Sequence, residues 1–283
     1  MAAVRRLTGG IDPAAVVEVL VPAMRQAASI ARALEGRVQN TPKQDEPTAV
    51  KQALTVADTA TQEALLVPIA EHFPTVALEA EEDTETARLF ASEGPVRVVC
   101  DPIDGTLHSY LRGEGPYGVL VGLARDGRYD AALVALTREG LFYDAVRGQG
   151  ARACRAGGEP GEAKVYGSGT RVLVSHGMPE AVFASIREAG WEPLPACGGA
   201  IAVAPLIKGV RAGLRWGNAP EGVSVRGRIG LLIAREAGLV VRAPGLRPFP
   251  DDLATREAGL IVACDEADLP ALDAALARGA PSA

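Results

Sequence analysis

Residues 98–106 read VVCDPIDGT, in which Val98, Val99 and Cys100 close an apolar run and Asp101, Pro102, Ile103, Asp104, Gly105 and Thr106 follow it. An apolar run of this kind predicts a buried strand, and the proline and glycine predict a turn at its end. Two carboxylates three residues apart at that turn have two readings. In one, Asp101 and Asp104 hydrogen-bond local backbone, as aspartates in turns commonly do. In the other, the strand end presents hard oxygen ligands to a divalent cation.

The surrounding chain bounds the choice. It has 283 residues, 48% hydrophobic and 23% charged, which is enough for one large domain or two closely joined halves with a substantial core. Its 29 basic and 35 acidic residues give a net charge of −6, which disfavours a general nucleic-acid binder. An anionic substrate would therefore rely on a metal or a few placed cations. Cys100, Cys154, Cys197 and Cys264 lack any CxxC spacing, so neither a zinc cluster nor a disulfide framework is expected, and a cytoplasmic setting fits. No signal-peptide pattern opens the chain, and no apolar run is expected to span a membrane.

Outward from the motif, helical spacing from Pro13 to Gly36 predicts a first helix, and the polar stretch 39–52 reads as an exposed loop. DTATQEALLVPIAEHF (58–73) reads as a second helix with Asp58 as its N-cap. TVALEA, VRVVCD, YGVLVGLARDG, YDAALVAL and GLFYDAV then suggest an antiparallel meander. From Arg171 strand and helix alternate: VLVS, PEAVFASIREAG, a Gly198-Gly199 turn, AIAVAPLIKG, RIGLLIAREAG, LVVRA, GLIVAC and LPALDAALARG. The expected division is an N-terminal α+β half (1–165) and a C-terminal α/β half (166–283).

Asp58, the pair Glu81-Glu82 and DPIDGT are three acidic points in chain order. Singly, a capped helix and a solvated acidic run explain the first two. The ordered hexapeptide is more specific than turn chemistry requires. On these residues the sequence resembles the lithium-sensitive, Mg2+-dependent phosphomonoesterases of the inositol monophosphatase and bisphosphate nucleotidase superfamily. "LTVADTATQEALL", "EAEEDTE" and "YLRGEGPYGVLVGLARDG" look most like the bisphosphate nucleotidase branch, although LHSY before LRGE is one residue longer here.

The resemblance implies an α/β, layered α-β-α-β-α sandwich of the sugar phosphatase type. It implies that Glu81, Asp101 and the Ile103 carbonyl hold one Mg2+, and that Asp101 and Asp104 share a second. Glu81 and Thr106, with Asp58 behind them, would serve catalysis by orienting the attacking water. Gly105 and Thr106 would meet phosphate, and Gly199 and Ala200 would face the substrate from a small-residue turn. The expected substrate is a small phosphorylated molecule, a 3'(2'),5'-bisphosphate nucleotide ahead of inositol or another sugar phosphate. A homodimer is a further expectation, and no nucleic-acid polymer or membrane partner is expected.

One family position departs. Where the resemblance calls for a Trp-Asp pair ahead of a helix ending in Glu-Ala-Gly, this chain has Val225-Arg226. A guanidinium cannot ligate Mg2+. Three outcomes stay open: Arg226 takes over the charge role by pairing with phosphate or Asp104, it fills the pocket and leaves a binding relative without turnover, or it lies on the surface. His108, His176, Arg112 and Lys208 are weaker candidates for substrate contact, each with an ordinary surface or loop explanation. His72 suits a helix C-terminus and needs no function.

Overall fold

The apolar run before the motif does form a strand, and the sheet it joins sets the architecture. The computed structural model describes residues 10–44, 46–217 and 221–280. Residues 1–9 and Asp45 of the polar stretch lie outside the described residues. The first sheet has seven strands in chain order: β1 Ala77–Glu79, β2 Val96–Asp104, β3 Gly118–Arg125, β4 Arg128–Leu136, β5 Leu141–Val146, β6 Ala151–Arg155 and β7 Gly161–Glu162. The second sheet contains β8 Arg171–Ser175, β9 Glu192–Ala196, β10 Val210–Trp216, β11 Val240–Arg242 and β12 Gly259–Ala263, in the order β11-β12-β10-β8-β9.

Strand alternation explains why helices cover these sheets in layers. Val98, Val119, Val121 and Leu133 pack under α1 (Pro13–Leu34) and α3 (Val56–His72), against Val16, Leu20 and Leu65. α2 is the short helix Ala49–Gln52. The alternate residues Val99, Leu120 and Val134 face the opposite way. They share one core with α5 (Gly198–Ala202), α6 (Ile229–Glu236) and the Leu260 and Val262 side of the second sheet. The far face of that sheet, with Val172, Leu214 and Ile261, packs α4 (Glu180–Glu188) and α7 (Leu269–Ala277). The layers are therefore helix, sheet, helix, sheet, helix. Leu20 and Leu65 are fully buried, and each such side chain contributes about 1.5–3 kcal/mol.

Several expectations need correction. β1 pairs with β2 in parallel, because residues 80–95 cross back between them instead of turning tightly. Thr55 is the N-cap of α3, and Asp58 is the third helical residue of a capping box. The loop 39–52 ends in α2, whose N-cap is Thr48. Strands β6, β7, β9 and β10 were not expected; β9 contains Pro193 and Pro195 and lies at the sheet edge, where a missing N–H costs no ladder bond. By length and composition α1 is apolar enough to cross a membrane, contrary to the reading above. Its Val16, Val17, Leu20 and Met24 instead sit against the first sheet, which accounts for that apolar character.

Candidate active site

Strand register brings the acids together. Glu79 pairs with Val99 in the parallel β1–β2 ladder, so two residues further on Glu81 comes level with Asp101. β2 does not turn at Asp101 as expected. It runs through Pro102 to Asp104, with its register to β3 shifting between Asp101 and Asp104. β1 has ended by then, so Pro102 removes no donor from that ladder. The chain turns at Gly105, where φ is +94° and a Cβ would lie 2.8 Å from the Cys197 Cβ, so both the backbone and the space call for glycine.

Behind this turn lies a buried line of polar atoms. The Thr106 hydroxyl is 2.8 Å from the Ile103 carbonyl and 3.0 Å from Asp58 Oδ1, and its single proton serves one of them at a time. Asp58 Oδ2 accepts from the Thr55 N–H and hydroxyl, each at 2.7 Å. Burial pushes Asp58 up to about 6, against these hydrogen bonds. Gln62, one turn after Asp58, clamps the main chain of Glu82: its amide N donates to the Glu82 carbonyl at 2.6 Å and its oxygen accepts from the Glu82 N–H at 3.0 Å. That clamp fixes the approach to Glu81. The sequence reading missed Gln62, although its i,i+4 spacing from Asp58 puts two polar residues on the buried face of α3.

Of the Glu81-Glu82 pair, the second is turned away and paired with Lys43 at 2.7 Å, with burial raising it to about 6. Glu81 and Asp101 face each other. Burial, then the charges of Glu81 and Asp104, push Asp101 well above the usual carboxylate range, and Arg226 opposes the shift only in part. Glu81 Oε2 and Asp101 Oδ1 are buried with no hydrogen-bond partner among the described residues. Two unpaired hard oxygens in one place are an unmet demand for positive charge, which a divalent cation such as Mg2+ meets; the donor set therefore fits the expected ion.

Arg226 is half-buried and turned toward the acids. Its Nη2 lies 3.9 Å from Glu81 Oε1 and its Nε 3.9 Å from Asp101 Oδ2. The expected partner Asp104 is engaged elsewhere, its Oδ2 accepting from the Gly199 N–H at 2.5 Å. This bond ties the end of β2 to the first turn of α5, where Gly199 and Ala200 are buried. The small-residue turn before a helix is thus the start of that helix itself.

Beyond Thr106 the chain makes one wide helical turn, Thr106–Leu111, and His108 stacks on His176 with centroids 4.7 Å apart and planes 12° apart. His108 Nδ1 is 2.9 Å from Glu114 Oε2 and His176 Nε2 is 3.0 Å from Ser109 Oγ. His108, Glu114 and His176 offer ligand atoms within 4.8 Å of one another. Near-parallel rings share no plane, so their lone pairs converge on one ion only if one imidazole turns. Arg112, Lys208 and His72 are exposed.

Comparisons with known proteins agree with this architecture. The sequence matches the model of the inositol monophosphatase family over residues 13–184. Its comparison with curated proteins gives no significant match. Among solved structures it is similar to an IMPase of Thermotoga maritima, at 17% identity and a TM-score of 0.69, covering 93% of this chain and 97% of that one. It is also similar to SuhB of Mycobacterium tuberculosis, at 22% identity and a TM-score of 0.64, over 95% and 98% of the two chains. The extragenic suppressor protein SuhB of Bartonella henselae gives 17% and 0.69, over 94% and 100%. With the family model spanning more than half of its length, the chain belongs to the inositol monophosphatase family.

Proposed function

We propose that the chain is a Mg2+-dependent phosphomonoesterase acting on a small phosphate monoester. The observation that carries this reading is the pair of buried, unpaired oxygens on Glu81 and Asp101 beside the Ile103–Thr106–Asp58 line. Glu81, Asp101 and the Ile103 carbonyl would hold the ion. When bound, Mg2+ neutralises phosphate charge and makes a coordinated water more acidic.

The chain's own residues supply the rest. Asp58, as a carboxylate, accepts a hydrogen bond from the Thr106 hydroxyl, so the Thr106 oxygen keeps its lone pairs free to accept a hydrogen bond from water and turn that water's lone pair toward phosphorus. Glu81 accepts the water's other hydrogen. The water oxygen bonds to phosphorus as the ester P–O bond breaks in line, and the leaving oxygen takes a proton from solvent. Peptide N–H groups after Gly105 meet phosphate oxygens, and Asp104 holds the start of α5 against them. Arg226 supplies fixed positive charge where the family places another carboxylate, and that charge favours an anionic substrate. For the substrate we favour a 3'(2'),5'-bisphosphate nucleotide over inositol or another sugar phosphate, on the TVAD and LRGE stretches.

A second reading is a family member that binds a phosphorylated ligand without turnover, favoured by the closeness of Arg226 to two of the carboxylates. Phosphate release from adenosine 3',5'-bisphosphate and inositol 1-phosphate with Mg2+ separates the two. Release that Asp101→Asn lowers by about 10²–10³-fold is expected for the enzyme. No release from the unaltered chain, with release appearing in Arg226→Asp, establishes the second reading instead.

A further inference from the structure

Past the DPIDGT turn, the first half of the chain meets the second through two stacked histidines. The wide turn Thr106–Leu111 carries His108 and Ser109, and His176 follows Ser175, the last residue of β8. Glu114 faces both rings: its Oε2 lies 2.9 Å from His108 Nδ1 and 3.9 Å from His176 Nδ1.

The tautomer of His176 follows from its neighbour. The Ser109 hydroxyl donates its one proton to the Glu114 carbonyl at 3.1 Å, since a carbonyl can only accept. The Ser109 oxygen, 3.0 Å from His176 Nε2, therefore receives a hydrogen bond from that ring nitrogen. Burial holds the His176 pKa below the ordinary 6.5, so at neutral pH the ring is neutral and, with its proton on Nε2, keeps a lone pair on Nδ1. That nitrogen and Glu114 Oε2 are then two acceptors side by side, at a distance no hydrogen bond spans. Two bonds of about 2.0–2.2 Å reach across about 4 Å, so one metal ion can hold both atoms.

His108 completes the set. Among the described residues its ring nitrogens are hydrogen-bonded to Glu114 alone, and the torsion that turns an imidazole about its Cβ–Cγ bond is soft. A rotation there, which the exposed Glu114 can follow, breaks the parallel stack and brings the His108 lone pair onto the same ion. Two imidazoles and one carboxylate suit Zn2+ and its first-row neighbours, whereas Mg2+ prefers oxygen ligands. Ser109 takes the place of the group behind a ligating histidine that fixes its tautomer and orientation.

We propose that His108, Glu114 and His176 form a site for a divalent transition-metal ion of the Zn2+ class, separate from the carboxylate cleft, with water in the fourth position. The ion ties the turn Thr106–Leu111 to the end of β8, and so links the half of the chain that carries the acids to the other half. Nothing in this depends on phosphate hydrolysis.

Calorimetric titration of the chain with Zn2+ in excess Mg2+, which competes for hard oxygen sites, is the test. One Zn2+ per chain is expected, bound about hundredfold or more weakly by His176→Ala and by His108→Ala. Ser109→Ala, which removes no ligand but releases the His176 tautomer, should weaken it about ten- to hundredfold. Asp101→Asn should leave Zn2+ uptake unchanged. Glu114→Gln, at an exposed position, should weaken binding about tenfold and serves if a histidine variant does not fold. Co2+ in place of Zn2+ should give visible d–d absorption that His176→Ala removes. No Zn2+ uptake in excess Mg2+, uptake that Asp101→Asn abolishes, or uptake and Co2+ absorption that survive the histidine and Glu114 variants overturns the proposal.

Discussion

The acids of the first sheet and its helices meet their counter-charges in two different ways. Away from the cleft they are answered locally: Glu82 by Lys43 and Glu35 by Arg138 and Arg32. At the cleft, Glu81 and Asp101 keep unpaired oxygens and, among the described residues, are approached by one cation, Arg226 on the segment leading into α6, at 3.9 Å. Local pairs at 2.6–2.9 Å are hydrogen-bonded, whereas 3.9 Å is beyond that reach. The difference separates acids whose charge is met within the fold from acids that keep unpaired oxygens.

Arg226→Asp tests the contrast most strongly. Exchanging the cation for a ligand should tighten Mg2+ binding by about tenfold or more and add one ion per chain, read by isothermal titration calorimetry. Unchanged affinity and stoichiometry would mean that Arg226 does not govern the cleft's charge. Thr55→Ala removes the α3 N-cap and one of the two hydrogen bonds on Asp58 Oδ2, and should cost about 1–2 kcal/mol. That corresponds to a fall in Tm of roughly 3–6 °C by scanning calorimetry for a chain of this size. An unchanged Tm would show that the local pairing of Asp58 contributes nothing to the fold.

The smallest effect concerns Glu35 at the end of α1. Burial pushes its carboxyl up, but hydrogen bonds from Arg138 and Arg32 and the charge of Arg138 outweigh it, leaving the pKa below the ordinary 4.5. A depressed folded-state pKa gives stability that is complete above 4.5 and disappears as pH falls through the folded value. Thermal melts between about pH 6 and about pH 3 should therefore show a steeper acid loss in the unaltered chain than in Glu35→Gln. Parallel curves would remove Glu35 from the set of acids that stabilise the fold.

Much of the site was legible because DPIDGT is contiguous and follows an apolar run whose register is set by alternation. The order of Asp58, Glu81 and Asp101 could likewise be read from the chain. What brings Glu81 level with Asp101 is a parallel pairing across residues 80–95, and no local pattern announces which way a distant strand runs. Thr55 was passed over as N-cap because Asp58 is the more familiar acid in a helix's first turn, yet in a capping box the acid comes third. Arg226 was placed by its distance from Gly230 and Glu236, but its partners depend on Asp104 being drawn off by Gly199, a contact between residues 95 apart.

The middle layer of α5 and α6 has a last consequence. It fills the space between the sheets with residues that both of them bury, Leu120 and Val134 from one side and Leu260 and Val262 from the other. Neither sheet has a finished inner surface without it. A break in the backbone among the residues joining β7 to β8 would thus leave two fragments with matching greasy faces, held as a noncovalent pair, and the cleft would persist only as long as that pair stayed associated.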